Sequence, residues 1–366
     1  MNEHSHVADG YADESSFGFD GSWRGFAPIA FTNLLLTIVT LGIYRFWAIA
    51  RERRYLWSRT RFVDERLEWA GTGKELFLGF VIVMLLIGIP LFLLQFALQS
   101  LMLRGYSGWA TGIGVLFVAT VMYLTGVARF RALRYRLSRT RWRGIRGGSD
   151  DQGLRYGWSY IWKTIAGYVP MGLMVPWSMT SLWNERMNAM SFGPHRFRAY
   201  SHASDIFARY FLFYLAPFVL LIGGLLFAAI SGAIGFGAGG EEAGVVSAFV
   251  AGIVALLFFY LGLGLIAVAF YAKFYREVIG ALDWGELTFS FTASTKDWIK
   301  LLLGDVALVI LTLGIGYIFL SYRHYKFAIT HLEAGGEIVL DELTQSQTRT
   351  ARHGEGLLDA FDVGAF

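Results

Sequence analysis

Cysteine is absent from the 366 residues, which excludes disulfides, thiolate metal sites and cysteine nucleophiles. Charge is scarce too: Asp, Glu, Lys and Arg make up 16%, where a soluble domain carries about a quarter. The first 22 residues contain Glu3, Asp9, Asp13, Glu14 and Asp20 but no Lys or Arg, and no small-residue cleavage site closes the apolar run behind them. A cleavable signal peptide is therefore not expected. Apolar residues fill the space left by charge, at 55% of the chain with a mean hydropathy of +0.46. Such a composition belongs in a bilayer.

Four runs are nearly or wholly free of charge and long enough to cross about 30 Å of hydrocarbon: Leu76 to Phe96, Gly108 to Ala128, Tyr210 to Ile230 and Val245 to Ala272. Aromatic residues reach 17%, and Trp47, Trp57, Trp109, Trp158, Trp162, Trp183 and Trp298 lie at the ends of apolar runs. This is the interfacial belt expected where amphipathic rings meet headgroups.

One string is written twice. Arg51, Arg54, Tyr55, Ser58, Arg59, Thr60, Arg61 and Phe62 recur at the same spacing as Arg131, Arg134, Tyr135, Ser138, Arg139, Thr140, Arg141 and Trp142. A shift of 130 aligns Gly42, Trp47, Phe62 and Arg66 with Gly172, Trp177, Phe192 and Arg196, and a shift of 272 superposes Thr40, Leu41, Gly42, Ile43 and Arg51 on Thr312, Leu313, Gly314, Ile315 and Arg323. The second shift also carries Phe17 and Phe19 onto Phe289 and Phe291. Agreement of several registers implies internal duplication.

One module reads as an apolar helix, an arginine-bearing helix end, a short hairpin, then the next helix. The hairpins are expected at Ser58 to Ala70, Ser138 to Arg146, Asn188 to Tyr200, Asp283 to Phe291 and Ala328 to Leu340, where polar and apolar residues alternate. Their backbone groups require a place outside the hydrocarbon. The fold class expected is an all-α polytopic membrane protein with seven apolar helical segments, the four spans plus three interrupted ones: Phe26 to Tyr44, Trp158 to Trp183 and Trp298 to Tyr322. If the interrupted segments cross, there are seven spans and homologous hairpins lie on opposite faces. If they dip and return, four spans remain and all hairpins share one face. The first two basic blocks carry six and eight arginines, which the positive-inside rule assigns to the cytoplasm. The third and fourth are weakly charged, and their shared motif chemistry favours one cytoplasmic face.

Both shifts align Asn33 with Lys163 and with Asp305, one polar residue per interrupted segment. Ionisable groups in apolar segments are costly and face a partner or a water-filled path. Lys163 and Asp305 are therefore candidates to approach each other with Asn33 nearby, as a polar centre among broken helices; the plainer reading is a snorkelling lysine and an aspartate near a helix start. Arg51, Arg54, Arg59, Arg61, Arg131, Arg134, Arg139 and Arg141 are candidate contacts for anionic headgroups or, equally, topology determinants. Gly71, Thr72, Gly73 and Lys74 lack the upstream glycine of a phosphate loop, since Glu68 stands there. No histidine pair has metal-ligand spacing, and neither catalysis nor a cofactor has support. The pI of 9.2 comes from membrane-flanking charge, so nucleic acid is not an expected partner.

Asn33 to Thr37, the string Thr40 to Tyr44 with Trp47, the arginines before Tyr55, and Phe192, Gly193, His195, Arg196 and Phe197 together resemble the YjgN-like family of bacterial inner-membrane proteins, a domain of unknown function. The resemblance runs from about Phe17 to Leu340. It implies a multi-pass protein of the bacterial inner membrane, transfers no catalytic residue, and suggests a membrane-associated peptidase as a partner besides membrane lipids. Between the second and third hairpins the chain is too short for the two spans expected of some relatives. The organisation expected is a polar segment 1–22, an integral domain 23–340 and a flexible polar tail 341–366, whose last apolar residues suit a short docking motif. The function expected is a scaffold, accessory or envelope-maintenance factor, not an enzyme; the competing class is a small-solute or lipid transporter using Asn33, Lys163 and Asp305. Oligomeric state is open.

Overall fold

The computed structural model describes residues 16–338 and 343–348. Its organising element is a sheet assembled from strands of two to five residues. These are β1 (Phe17–Phe19), β2 (Thr60–Phe62), β3 (Glu65–Arg66), β4 (Glu68–Trp69), β5 (Thr140–Trp142), β6 (Ile145–Gly148), β7 (Ser191–Phe192), β8 (His195–Ala199), β9 (Leu282–Trp284), β10 (Leu287–Phe291) and β11 (Leu332–Gly335). Within a three-stranded part, β1 to β3, and an eight-stranded part, β4 to β11, each pairs antiparallel with its neighbours in chain order. β3 and β4 are one strand broken at Leu67, whose N–H still donates to the Thr60 carbonyl at 2.9 Å. At the other end the Ala334 N–H donates to Ser16 Oγ at 2.6 Å, so the two edges of the sheet meet.

Strand pairs stand at the first four expected hairpin sites, whereas among the described residues the fifth, Ala328 to Leu340, supplies the single strand β11, which pairs with β10. The all-α class needs correcting because the hairpins do not stand apart. Strands that flank a set of helices pair with each other: β1 with β2, β4 with β5, β6 with β7, β8 with β9 and β10 with β11. A lone two-stranded hairpin is marginal in water, and joining edge to edge satisfies the exposed backbone groups. Phe17–Phe19 falls inside the stretch read as a polar N-terminal segment, yet it is β1 and stacks Phe17 on Phe62 at 4.6 Å. Residues 343–348, read as flexible tail, dock along β6, where the Arg146 N–H donates to Gln345 Oε1 at 3.1 Å and Gln345 Nε2 to the Gly144 carbonyl at 2.9 Å. The docking motif suggested for the last apolar residues of the tail lies outside the described residues.

Inward side chains at equivalent strand positions fill the sheet's concave face. Phe62, Trp142, Trp284 and Leu287 are buried there, with Phe17, Phe192, Phe197 and Phe289 packed against them. The Trp142 indole donates to the Phe62 carbonyl at 3.0 Å and that of Trp284 to the Phe192 carbonyl at 2.9 Å. Each indole thus ties its hairpin to the preceding one while burying a large apolar face.

Two kinds of helical insertion hang from this sheet. Three are short helix–turn–helix units: α1 (Trp23–Val39) with α2 (Arg45–Ser58), α6 (Leu154–Tyr168) with α7 (Val175–Asn188), and α9 (Thr295–Leu311) with a 3-10 turn Ile315–Phe319 and α10 (Leu320–Thr330). The repeated Thr-Leu-Gly-Ile string makes the turn. Thr40 Oγ1 donates to the Leu36 carbonyl and accepts from the Tyr44 N–H, as Thr312 does with Leu308 and Gly316. The two residues after it are left-handed, Leu41 at φ 51° and Gly42 at 92°, then Leu313 at 52° and Gly314 at 92°. Met171 and Gly172 repeat this at 53° and 87°.

The other insertions are long. The run α3 (Gly73–Val83), a π turn (Met84–Gly88) and α4 (Ile89–Leu103) is followed by α5 (Ser107–Arg139), and α8 (Ala203–Gly280) folds into two helices at Gly239 and Gly240. Pro90, at the start of α4, has no N–H for the helical ladder, which accounts for the π turn just before it. The windows of highest hydropathy in these three helices are only 11%, 17% and 6% buried. A soluble protein rarely exposes apolar patches beyond a few hundred Å². At these places the chain meets lipid.

Trp142 is 1% exposed, so Trp142→Ala should cost about 3–5 kcal/mol, and Trp142→Phe about 1 kcal/mol for the lost bond to Phe62. Denaturant unfolding in mild detergent, followed by circular dichroism, reads both; equal losses would mean the indole N–H ties nothing.

Candidate functional site

The aligned polar residues Asn33, Lys163 and Asp305 are 3%, 9% and 6% exposed. Each is bonded inside its own helical unit. Asn33 Nδ2 donates to the Ala48 carbonyl at 3.3 Å and to Glu52 Oε1 at 3.2 Å. Lys163 Nζ lies 2.6 Å from Glu185 Oε2. Asp305 receives Arg323 Nε at 2.5 Å on one oxygen and holds His324 Nε2 at 2.6 Å on the other. The expected approach of Lys163 to Asp305 is absent from these contacts, because each finds a counter-charge on the return arm of its own unit.

The three are therefore repeated clasps between two arms. Glu52 lies 19 residues after Asn33, His324 lies 19 after Asp305, and Glu185 lies 22 after Lys163. The shift of 272 that carries Arg51 onto Arg323 also carries Glu52 onto His324, a signal present in the sequence but not drawn from it. One bond crosses between units: Ser321 Oγ on α10 donates to Glu52 Oε2 at 3.0 Å. It joins the first and third short units, whose cluster of Phe26, Ala30, Leu56 and Tyr322 surrounds the contact region.

The eight candidate headgroup arginines divide. Arg51, Arg54, Arg59 and Arg141 are exposed. The others support the fold: Arg139 Nε is 3.0 Å from Glu75, which also accepts from Tyr135 Oη at 3.2 Å, and Arg131 and Arg134 donate to the carbonyls of Gln152 and Asp151. Arg61 donates to the Val63 carbonyl at 3.0 Å. Between adjacent hairpin turns Arg143 pairs with Asp64, and this hydrogen bond holds the Asp64 carboxyl below its ordinary value. Beside the β7–β8 turn, Asn188, His195, Arg196 and Arg198 line an open groove of about 560 Å³. Among the described residues no three of His, Asp and Glu gather closely enough to ligate a metal.

Lipid-facing helices hung from a sheet with basic helix ends define an integral, multi-pass protein of the bacterial inner membrane. The chain belongs to the family described as "Bacterial protein of unknown function (DUF898)", whose model matches residues 14–360. It is similar to the inner membrane protein YjgN of Salmonella typhimurium, 26% identical over 157 residues, or 43% of this chain and 35% of that protein. It is also similar to the proteins of the same name from Escherichia coli K12 and O157:H7, at 38% over 64 residues and 39% over 62. These matches cover 18% and 17% of this chain and 16% of each relative. The chain thus spans 35% or less of the length of the curated relatives it matches. The YjgN-like resemblance read from the motifs holds. No solved structure matches the chain.

A buried pair broken on one side leaves an uncompensated charge, at about 3–5 kcal/mol. Lys163→Met should accordingly destabilise more than Lys163→Met with Glu185→Met, as read by detergent unfolding midpoints. Additive losses would show that the two side chains do not act together.

Proposed function

We propose that the protein is a membrane scaffold or accessory factor of the bacterial envelope, built as four crossings with three re-entrant units around a cytoplasmic sheet. The observation that carries this reading is the pairing of the strands that flank each helical insertion. A chain that leaves the sheet and returns to the neighbouring strand must end on the face where it began, so each insertion crosses twice or not at all. The run Gly73–Leu103 and α5, at 31 and 33 residues, extend about 46 and 50 Å, enough to cross. α1, α6 and α9, at 17, 15 and 17 residues, extend only about 22–26 Å before turning back. Their tips Leu41, Met171 and Leu313 are 94%, 80% and 94% exposed, which suits burial among acyl chains. The basic helix ends set the sheet on the cytoplasmic side. There the exposed arginines meet anionic lipid, and the sheet offers a surface to a partner such as a membrane-associated peptidase. The filled aromatic face and the self-closed clasps favour a mechanical role over transport or catalysis.

The absence of cysteine makes topology directly measurable. Single cysteines replacing Asp64, Gly144, Pro194, Glu286 or Glu337 should react with an impermeant thiol reagent only from the cytoplasm. Those replacing Arg104 or Glu242 should react only from the periplasm, and Leu41→Cys and Leu313→Cys from neither side. Periplasmic labelling at Pro194 or Glu286 would defeat the shared face. For the role itself, cells lacking the protein should admit a normally excluded dye, and the Lys163→Met, Glu185→Met double variant should restore the barrier. Loss of rescue at normal protein level would favour a transporter that uses these charges.

A further inference from the structure

Arg196 and Arg198 stand exposed on β8, and among the described residues neither side chain makes a hydrogen bond or an ion pair. With His195, Pro194 and the half-buried Phe197 they line the open groove of about 560 Å³ beside the β7–β8 turn. One wall is firmly held. Asn188, at the end of α7, donates to the Ala199 carbonyl at 3.1 Å and accepts from the Ala199 N–H at 2.6 Å. Asp283, the register partner of Arg198, accepts from Tyr200 Oη at 3.4 Å rather than from the guanidinium. The groove is therefore basic, with an aromatic side chain among its lining residues.

Residues 343–348 lead the chain toward it. Gln345 bonds the backbone at Gly144 and Arg146, the Ser346 carbonyl accepts from Arg146 at 3.4 Å, and Thr348 stands where a side chain on Gly148 would be. The segment thus runs the length of β6, from its turn end to Gly148. Gly148 is in register with Ser191 of β7, and Ser191 with Arg196 of β8. Side chains at paired positions share a face of the sheet, as do those two residues apart on one strand, so Thr348 lies over the face from which Arg196 and Arg198 project. Two strand spacings, about 10 Å, separate Gly148 from Arg196.

Residues 349–366, outside the described residues, carry the complementary chemistry. After Arg349, Arg352 and His353 come Glu355, Asp359 and Asp362 with Leu357, Leu358 and Phe361, and no Lys or Arg follows Arg352. The seven residues from Thr348 to Glu355 can span up to about 24 Å, which exceeds the gap.

We propose that residues 355–362 of this same chain dock in the β8 groove, their carboxylates against Arg196 and Arg198 and their apolar side chains against Phe197 and Pro194. Guanidinium and carboxylate pair through charge-assisted, often bidentate hydrogen bonds, and a short tether holds the acids at about millimolar effective concentration, so few such pairs are enough. The tail is then a strap that closes the groove to any other acidic segment. The assignment does not rest on the scaffold reading.

Because the chain has no cysteine, the test is a crosslink in the full chain, purified in a nonionic detergent. Pro194→Cys with Ala360→Cys, oxidised by copper phenanthroline, should form an intramolecular disulfide, read by gel mobility and mass spectrometry. Asp64→Cys with Ala360→Cys, on the hairpin to the other side of β5 and β6, should crosslink about tenfold more slowly. Arg196→Glu with Arg198→Glu, both at exposed positions, should slow the Pro194 crosslink to the Asp64 rate. Adding Asp359→Lys and Asp362→Lys to that background should restore it, which a misfolded groove could not do. The assignment falls if the two cysteine pairs crosslink at equal rates, or if reversing the arginines leaves the rate unchanged. It falls also if the disulfide joins two chains, which would seat the tail of a second copy in the groove.

Discussion

Backbone pairing between strands that flank the same helical insertion is the constraint on which the rest of this structure depends. Strands of two to five residues have little stability of their own, and their N–H and C=O groups have no place in hydrocarbon. Pairing β4 with β5, or β8 with β9, satisfies those groups and brings the two ends of a long apolar excursion together. The parity of each excursion follows from hydrogen bonding, before any appeal to charge. The aromatic side chains then lock the pairs to one another, because each hairpin offers one large ring at the same position, Phe62, Trp142, Phe192 and Trp284 in turn.

The short units face a second constraint. In the proposed re-entrant placement, two apolar arms that turn back within about 26 Å gain little from lipid contact over one another, since acyl chains are as apolar as leucine. A polar contact between the arms supplies the missing preference. Asn33 with Glu52, Lys163 with Glu185, and Asp305 with Arg323 and His324 are three chemical solutions to one geometric need. The same need explains why a polar position persists through all three registers while its chemistry changes from amide to cation to anion. A shared binding centre would instead demand complementary groups turned toward one another.

Much of this was legible in the sequence, and what was missed has a physical cause. The apolar runs, the hairpin sites, the interrupted segments and their alternation follow from hydropathy and register, because burial in lipid and strand alternation leave periodic marks. Edge-to-edge joining of the hairpins leaves none: the contact between β6 and β7 is two residue pairs of backbone, Gly147 with Phe192 and Gly148 with Ser191, and backbone bonds do not choose side chains. β1 was overlooked because Phe17 and Phe19 sit behind an acidic stretch that dominates local composition. Of the clasp partners, the shift of 272 pairs Arg51 with Arg323, but the step from Glu52 to His324 was not taken.

The doubled arginine string shows how far a repeat can be trusted. Its small residues keep their roles: Ser58 Oγ donates to the Tyr55 carbonyl at 2.9 Å and Ser138 Oγ to the Tyr135 carbonyl at 2.8 Å, each closing the last helical turn before a strand. Its arginines do not. In the first copy Arg51, Arg54 and Arg59 are exposed, whereas in the second Arg131, Arg134 and Arg139 reach Gln152, Asp151 and Glu75. The difference lies in what each helix end meets. α5 is flanked by the start of α3, which brings Glu75, and by the loop into α6, which brings Asp151 and Gln152. A guanidinium that already has an acceptor gains little from a phosphate, so Arg131, Arg134 and Arg139 are poorly placed as headgroup ligands. In the second copy Arg131, Arg134 and Arg139 hold the fold together, while Arg141 stays exposed.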